Sequence, residues 1–472
     1  GQGTGQLTAG SSATQWAINS VFFRVNYDYQ GKYLLEVVGR NDGTSRFPNG
    51  DRYGFFPSGS LGWRISQEEF WEPLRGWWNS MKIRASYGRL GNQVVSSNFP
   101  YLLSYGLNSN YGYLINGSTV TAVTAPGLVS ASLTWEKVNQ IDIGFDAGWL
   151  NNRLVAEFDW FSRKTTDVLT TGTALPAVLG TSVPQANAAS IRTNGWELGL
   201  TWNDRVSSIG LNYHARLSLS DNWATVTKFD NPSPDINLSY LYAGKKIGEI
   251  WGFRSNGLFQ SQEEIDDHAS QAYIYGGKWQ VGDMKYEDLD GSGAIDDGDW
   301  TLKNPGDNVV IGNSTPRYMF GLTLGADWKG FDFEMFWQGV GKRDIWGGDV
   351  GDFWAFPNQW QTPLDSSTDY WREDNTGAYF PKLYLTQNGR NRQTSDRYLL
   401  NGAYARLKNI VLGYTLPKSI LSKAGISNLR VFVQGENLLT ISSMKKYGDP
   451  ETVNKMTYPI QKKYSVGVNL SF

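Results

Sequence analysis

The sequence predicts an all-β protein, a transmembrane barrel of antiparallel strands, and three observations lead to this fold class. Large apolar and polar residues alternate in many segments, tight turns alternate with very long loops, and aromatic residues are abundant although the mean hydropathy is negative. Only alternate residues of a membrane-spanning strand meet lipid, so a barrel stays polar on average and gathers aromatic residues at the two interfaces. No run of about 18 apolar residues occurs, which excludes membrane-spanning helices.

Alternation with a period of two recurs in about thirteen segments, and a strand points successive side chains to opposite faces. In the C-terminal segment Tyr464, Val466, Val468, Leu470 and Phe472 share one face, and small or polar residues share the other. In a membrane barrel the apolar face meets lipid and the polar face lines the lumen. The same alternation predicts strands near residues 21–29, 32–41, 54–66, 79–90, 141–149, 154–160, 190–203, 208–220, 317–328, 331–342, 398–415, 428–440 and 460–472.

The connections between these segments indicate a membrane barrel rather than a soluble one. Outer-membrane barrels have short turns in the periplasm and long loops outside the cell. The main alternative is a soluble β-sandwich or propeller, whose strands also alternate, but the regular pairing of short with long connections would then be accidental. The tight turns lie at residues 29–31, 150–153, 203–207 and 329–330, and the very long loops lie at 91–132, 221–312 and 343–396.

About thirteen strands are predicted, an odd number, and this count indicates whether the sequence contains a whole barrel. Bacterial single-chain barrels have an even number of strands, and open sheet edges are not tolerated in lipid. We therefore expect residues 1–472 to be one part of a larger barrel, with the loop at 221–312 outside the cell. The first strands would then be supplied by segments that this sequence lacks.

Composition and motifs argue against several function classes. The chain has no cysteine, which excludes disulfides, thiolate metal sites and cysteine nucleophiles. A net charge of −2 without a basic block argues against nucleic acid as a partner. The two histidines, His214 and His268, belong to no zinc or nucleophile motif, and no phosphate-binding loop is present. We therefore predict that the protein is not an enzyme, although a pair of carboxylates for acid–base chemistry stays open.

An acidic segment at residues 288–299 fits the twelve-residue calcium loop, with oxygen-bearing side chains at positions 1, 3, 5, 9 and 12 and glycine at position 6. Calcium takes six to eight hard oxygen ligands, which such a curled backbone supplies. Aspartate at position 12 predicts modest affinity, and the predicted role is to order a long surface loop. The alternative is an acidic turn without metal. The predicted ligands are the side chains of Asp288, Asp290, Ser292, Asp296 and Asp299 and the carbonyl of Ala294.

Aromatic residues are frequent in the third long loop. Rigid amphipathic rings can stack on sugars or contact peptide side chains. They equally suit loop packing or an interface with a partner, and the sequence leaves both interpretations open. The residues are Trp346, Phe353, Trp354, Phe356, Trp360, Tyr370 and Trp371, of which Trp346, Trp354, Trp360 and Trp371 are the candidates for substrate binding.

Specific motifs occur at segments 55–63, 133–137, 194–197, 282–286 leading into the acidic loop, 404–410 with 412–414, 435–439 and 447–451. In this order they resemble the C-terminal part of the barrel of SusC-like (RagA-type) TonB-dependent outer-membrane transporters of Bacteroidetes. The resemblance extends over nearly the whole chain. The C-terminal strand also resembles the assembly signal of outer-membrane proteins, with its terminal aromatic residue.

The resemblance implies a plugged barrel of about 22 strands in the outer membrane of a Gram-negative bacterium. It also implies a SusD-like surface lipoprotein as partner, with TonB-ExbB-ExbD acting through an N-terminal part that is absent here together with the plug. The implied activity is active import of oligosaccharides, with oligopeptides as the alternative. A passive porin and an outer-membrane enzyme are further alternatives, and calcium is the expected cofactor.

Overall fold

The computed structural model describes most of the chain, and its longer strands form one antiparallel sheet. Thirteen strands pair in chain order, which confirms the predicted fold class. Among the described residues, no helix is long and apolar enough to cross a membrane. The described residues are 11–95, 97–108, 114–124, 126–129, 133–171, 178, 184–230, 237–238, 241–350, 353–354, 365–384, 388–421, 425–453, 458 and 460–472.

The thirteen strands of the main sheet are labelled β1 to β13 in chain order. Within the described part of the chain, β1 pairs only with β2 and β13 only with β12, so the sheet has two edges. The bounds are β1 Ile18–Tyr29, β2 Tyr33–Thr44, β3 Tyr53–Trp63, β4 Trp78–Asn92, β5 Glu136–Trp149, β6 Leu154–Thr171, β7 Gln185–Val206, β8 Leu211–Phe229, β9 Arg317–Trp328, β10 Phe331–Lys342, β11 Tyr404–Thr415, β12 Asn428–Ile441 and β13 Lys463–Ser471.

The register places the apolar residues of neighbouring strands on one common face. Val25 lies opposite Val37, and Val433 lies opposite Val466. Directly opposed residues share a face, so the apolar band continues from strand to strand. The other face carries ion pairs, including Arg84 with Asp146 (2.9 Å). The predicted division into an apolar and a polar face is therefore present in the sheet.

The connections also follow the predicted alternation. Two-residue turns are the tightest, as at Lys329 and Gly330, where both residues have positive φ (47° and 89°). Such a turn matches the twist of the strands it joins. The longest connections, residues 93–135, 230–316 and 343–403, all lie at the opposite end of the sheet. The second of them begins at residue 230 rather than 221, because β8 continues to pair with β7 as far as Phe229.

Aromatic rings line the end of the sheet that carries the short turns. Tyr33 stacks at 6.4 Å on Trp63, and Trp78 stacks at 5.6 Å on Trp149. The carboxylate of Glu68 accepts hydrogen bonds from the hydroxyl of Tyr33 (2.7 Å) and the indole of Trp63 (3.0 Å). These hydrogen bonds lower the pKa of Glu68 to about 2. The arrangement is the aromatic girdle expected where a barrel crosses a lipid interface.

Shorter elements occupy the connections. Among the described residues, five two-stranded pairs form within the long loops. The region predicted as one strand at 398–415 is in fact two strands separated by a break at Gly402. The pairs are Gly106–Asn108 with Ala122–Thr124, Leu114–Ile115 with Ser118–Thr119, Glu249–Gly252 with Val309–Asn313, Ser255–Leu258 with Met284–Tyr286, and Asp344–Trp346 with Leu399–Asn401. The described part of the chain contains the α-helices α1 Gln262–Asp266 and α2 Lys418–Leu421 and the 3-10 helices Ile65–Gln67, Glu69–Leu74, Gly347–Asp349, Asp365–Ser367, Asn388–Asn391, Asp396–Tyr398 and Ser443–Lys446.

Adjacent residues of β12 allow a test of which face meets lipid. Val433 lies in the apolar band, whereas Gln434 lies on the polar face and donates a hydrogen bond to Glu436 (3.2 Å). We expect Val433→Lys to destabilise the protein in lipid vesicles by about 2–4 kcal/mol, the cost of a lysine at mid-depth on a lipid-facing strand. Gln434→Lys is the matched control and should cost little, because its new charge lies beside a carboxylate. Urea-dependent unfolding in vesicles measures both, and equal costs would show that the assignment of faces is wrong.

Candidate functional site

The long connections at one end of the sheet pack together around a shared apolar core. Residues from 230–316, 343–403 and 442–462 all contribute, and we call this assembly the loop cluster. Tyr286 and Tyr398 are fully buried in it. Burial of this many large side chains is the main force that orders such loops. The core residues are Phe253, Leu258, Met284, Tyr286, Ile295, Ile345, Val350, Phe353, Trp371, Ala378, Phe380, Tyr398, Leu400 and Met444.

The candidate substrate-binding tryptophans occupy different positions in the loop cluster. Trp371 is only 9% exposed, so it presents little surface to a substrate and packs the core. Trp354 is partly buried, with its ring 4.8 Å from that of Tyr398, and Trp346 is partly buried beside it at 6.0 Å. Trp360 lies outside the described residues, as does Phe356. Of the four candidates, Trp346 and Trp354 are therefore the ones whose described side chains keep surface at a cleft.

A buried ion pair ties two of the long loops together. Arg390 lies 3.4 Å from the carboxylate of Asp283, which is fully buried. The guanidinium group lies between the rings of Tyr275 (4.4 Å) and Tyr384 (4.6 Å). Asn391 donates a second hydrogen bond to Asp283 (2.9 Å). Because both charges are removed from water, each depends on the other for compensation. Sequence reasoning missed this pair, which joins residues more than a hundred positions apart.

The predicted calcium loop adopts the expected tight backbone. Asp288 accepts hydrogen bonds from the backbone N–H groups of Gly291 (2.7 Å) and Gly293 (2.9 Å). Gly293, at position 6, has a φ of 81°, the left-handed conformation that the sharp turn requires. The hydroxyl of Ser292 donates to the carbonyl of Ala294 (2.9 Å). Hydrogen bonds from Ser292 lower the pKa of Asp290, which favours the charged form.

The acidic residue that joins this loop from outside is Asp307, which sequence reasoning missed. Within the described residues, oxygens of Asp288, Asp290 and Asp307 lie within 4.8 Å of one another. Asp307 is fully buried and accepts hydrogen bonds from the N–H groups of Leu289 (2.6 Å) and Asp296 (2.9 Å). Burial raises the pKa of Asp307, although these hydrogen bonds oppose the shift. Its position beyond the end of the loop follows no spacing rule that the sequence could have revealed.

Two of the predicted ligands point elsewhere. Asp299 accepts a hydrogen bond from the side chain of Asn304 (2.9 Å), and Asp296 accepts one from the N–H of Gly298 (2.7 Å). Neither belongs to the group of three carboxylates. Ligands on opposite sides of one calcium ion are separated by roughly twice its 2.3–2.6 Å bond length. The three converging carboxylates of Asp288, Asp290 and Asp307 therefore fit calcium in spacing and chemistry.

The two histidines have ordinary surroundings. His214 lies on the polar face of β8, 3.7 Å from Glu334. The Nε2 atom of His268 lies 2.8 Å from the carbonyl oxygen of Tyr286, and its ring contacts Phe259 edge-on at 5.2 Å. Within the described residues, neither histidine forms a hydrogen bond with a serine or threonine hydroxyl that could act as a nucleophile. These positions give the histidines structural contacts in the sheet and the loop cluster.

A family model described as "TonB dependent receptor-like, beta-barrel" matches residues 1–438. The chain belongs to this family. TonB-dependent receptor P26 of Formosa agariphila is 29% identical over 489 residues, which cover 99% of the chain and 47% of that relative. TonB-dependent receptor SusC of Bacteroides thetaiotaomicron is 28% identical over 474 residues, covering 98% of the chain and 44% of that protein. The chain thus spans about half the length of the curated relatives it matches.

Two solved structures of transport proteins are also similar to this chain. The RagAB peptide transporter is similar with a TM-score of 0.76 and 25% identity, over 97% of the chain and 47% of the transporter chain. The RagAB peptide importer in its "open-open" state has the same fold, with a TM-score of 0.76 and 23% identity over the same shares of the two chains. The predicted resemblance to SusC-like and RagA-type receptors is confirmed. So is the predicted location, since the family comprises barrels of the outer membrane.

Proposed function

We propose that this chain is the C-terminal part of the barrel of a TonB-dependent importer, and that the imported substrates are oligosaccharides. The observation that carries the proposal is the match of nearly the whole chain to a receptor of the SusC type. The large loop cluster at one end of the sheet supports it, because passive pores need no such elaborate cover over the mouth. The aromatic residues of the loops favour sugars as the cargo, because rigid amphipathic rings can stack on sugar rings.

The partners follow from the same proposal. A SusD-like surface lipoprotein would cover the loop cluster, and TonB-ExbB-ExbD would act through an N-terminal part of the protein together with the plug. Further strands would pair with the edges at β1 and β13, since open edges are not tolerated in lipid. Calcium would bind at Asp288, Asp290 and Asp307, with Ser292 and Ala294 as further oxygen donors. Its role would be to order the loop rather than to take part in chemistry.

Oligopeptides are the second candidate cargo. The specific observation in their favour is the structural similarity to the RagAB peptide transporter. Sugars and peptides both require a wide lumen closed by a movable plug. Selectivity for one cargo over the other must therefore lie in the loops, the plug and the lipoprotein. The barrel strands alone do not discriminate between the two.

Uptake by whole cells tests the proposal. Cells that carry the full-length transporter should take up fluorescent oligosaccharides, and deletion of TonB should abolish that uptake. A passive porin would continue to admit them without TonB. An enzyme would instead release products from the oligosaccharide outside the cell. TonB-dependent uptake of labelled oligopeptides, with oligosaccharides excluded, would replace the first candidate with the second.

A further inference from the structure

A polar cleft opens in the loop cluster directly above the ends of β9 and β10, and we call it the mouth cleft. It is bounded by Ser314, just before β9, and by Arg343, just after β10. Its volume of about 540 Å³ lies in the range of small-molecule sites, roughly 300–1,000 Å³. All three parts of the loop cluster contribute to its walls. The charged and aromatic residues that line it are Glu249, Trp251, Arg343, Asp344, Trp346 and Asp349.

The guanidinium group of Arg343, which lines the mouth cleft, has hydrogen-bond donors without partners among the described residues. The Nε of Arg343 donates to the carbonyl of Ser314 (3.0 Å), which fixes the plane of the guanidinium group. No carboxylate of the described residues lies within ion-pair distance of Arg343, and its two terminal nitrogens have no hydrogen-bond partner there. Burial lowers the pKa of Arg343, yet a guanidinium remains charged in proteins. Two donor groups are therefore available to a ligand.

The carboxylates of the mouth cleft differ in how far they are engaged. Glu249 accepts from the hydroxyl of Tyr242 (2.9 Å) and the N–H of Lys246 (3.0 Å). Asp344 accepts from the N–H of Asn313 (2.9 Å) through one oxygen. Asp349 is exposed at the end of a 3-10 helix, without a hydrogen-bond partner in the described part of the chain. Asp344 and Asp349 can therefore accept hydrogen bonds from a ligand.

The charged side chains that line the mouth cleft indicate which kind of ligand it can bind. Three carboxylates and one guanidinium line the cleft, so an anionic ligand would meet a surplus of like charge. A cationic ligand would be attracted by the carboxylates but would offer no acceptor to the two terminal nitrogens of Arg343. Repulsion between like charges is stronger where the effective dielectric constant is low. An uncharged ligand with many hydroxyls avoids both penalties, since each hydroxyl both donates and accepts.

Two indoles complete the arrangement. Trp251 and Trp346 both line the cleft and are partly buried, and an indole offers a rigid apolar face that can cover the C–H side of a sugar ring. We infer that the mouth cleft binds an uncharged sugar unit of an oligosaccharide, with Trp346 against the ring and with Arg343 and Asp349 bonded to its hydroxyls. This assignment rests on the proposed import of oligosaccharides and gives that import a specific site.

Calorimetry on the purified full-length transporter in detergent tests the assignment. The probes are linear hexasaccharides of glucose, mannose, galactose and xylose, with hexagalacturonate and hexalysine as charged probes. We expect at least one neutral hexasaccharide to bind, and Trp346→Ala or Arg343→Gln to weaken it about tenfold, equivalent to about 1.4 kcal/mol. Asp349→Asn, at an exposed position, should also weaken binding without disturbing the fold.

The control is Trp77→Ala, which removes an exposed indole (51%) between β3 and β4, at the opposite end of the sheet. This variant should bind like the unmodified protein. Failure of all four neutral probes to bind, or binding that the three cleft variants leave unchanged, would overturn the assignment. If TonB-dependent uptake of oligosaccharides persisted in that case, the proposed function would stand without this site. Binding of hexalysine that Asp349→Asn abolishes would identify a cationic ligand instead.

Discussion

Asp283→Ala is expected to release the loop cluster from its folded arrangement while leaving the barrel strands intact. The substitution leaves the guanidinium group of Arg390 without its counter-charge, and the side chain of Arg390 is only 6% exposed. Removal of one partner of a buried ion pair costs about 3–5 kcal/mol. The hydrogen bonds from Asn391 (2.9 Å) and the N–H of Gln280 (2.9 Å) are lost as well. Hydrogen exchange on the full-length protein should show faster exchange across residues 253–286 than in the unmodified protein.

Two control variants separate this effect from a general one. The pair of Arg372 and Asp374 has side chains 44% and 78% exposed, and exposed pairs contribute about 0–1 kcal/mol. Asp374→Ala should therefore leave hydrogen exchange unchanged. The double variant Asp283→Ala/Arg390→Met removes both buried charges, so it should recover part of the lost protection. Unaltered protection in Asp283→Ala would contradict the role of this pair.

The strands could be predicted because lipid imposes a strict rule on them. Val433 and Val466 face each other in the apolar band, and a one-residue shift would bring polar residues into it. The ends of several strands could not be predicted in this way. β7 begins at Gln185 and β8 continues to Phe229, well beyond the predicted segments 190–203 and 208–220. In these extensions the apolar residues do not alternate regularly with polar ones, so a period of two does not mark them in the sequence.

Contacts between distant segments of the loop cluster could not be predicted from the sequence. Arg406 and the segment 447–451 were both identified as motifs, but only the structure brings them together. Arg406 is almost fully buried and donates to Asp449 (2.5 Å) and to Glu451 (2.5 Å). Lys408 donates to Glu451 as well (2.8 Å). Pairings between distant loops depend on how the barrel positions the loop ends, and no local pattern encodes them.

The aromatic residues illustrate the same limit. The sequence places Phe353 and Trp371 among the aromatic residues of the third long loop and makes Trp371 a candidate for substrate binding, with packing of the loop as the alternative. Both are core residues, with exposed fractions of 1% and 9%. Trp346 belongs to the same sequence pattern, yet it lies at the wall of a cleft. An aromatic-rich loop needs its own core before it can present any ring to a ligand, and composition does not reveal which rings serve which purpose.

Calcium is expected to order the loop cluster through Asp288, Asp290 and Asp307, and variants can separate this set from the one that the sequence motif implies. Asp288→Asn should abolish calcium binding by the full-length protein, because this residue also accepts three backbone hydrogen bonds that shape the loop. Asp307→Asn should weaken binding strongly, since it removes a charge from the group of three. Asp299→Asn should have a small effect, because Asp299 is directed at Asn304.

Calorimetry with calcium alone measures the affinity, and proteolysis of residues 253–307 measures the ordering. Ligand at about a hundred times its dissociation constant stabilises the binding-competent state by about 2.7 kcal/mol, so protease should cut this segment roughly a hundredfold more slowly with calcium than with chelator. Magnesium at the same concentration is the control, because it demands a stricter octahedral geometry than a flexible acidic loop provides. An effect of Asp299→Asn equal to that of Asp307→Asn would favour the twelve-residue motif over the structural set. Absence of any calcium-dependent heat or protection would leave Asp307 as a buried anchor that holds the loop through the N–H groups of Leu289 and Asp296, without a metal.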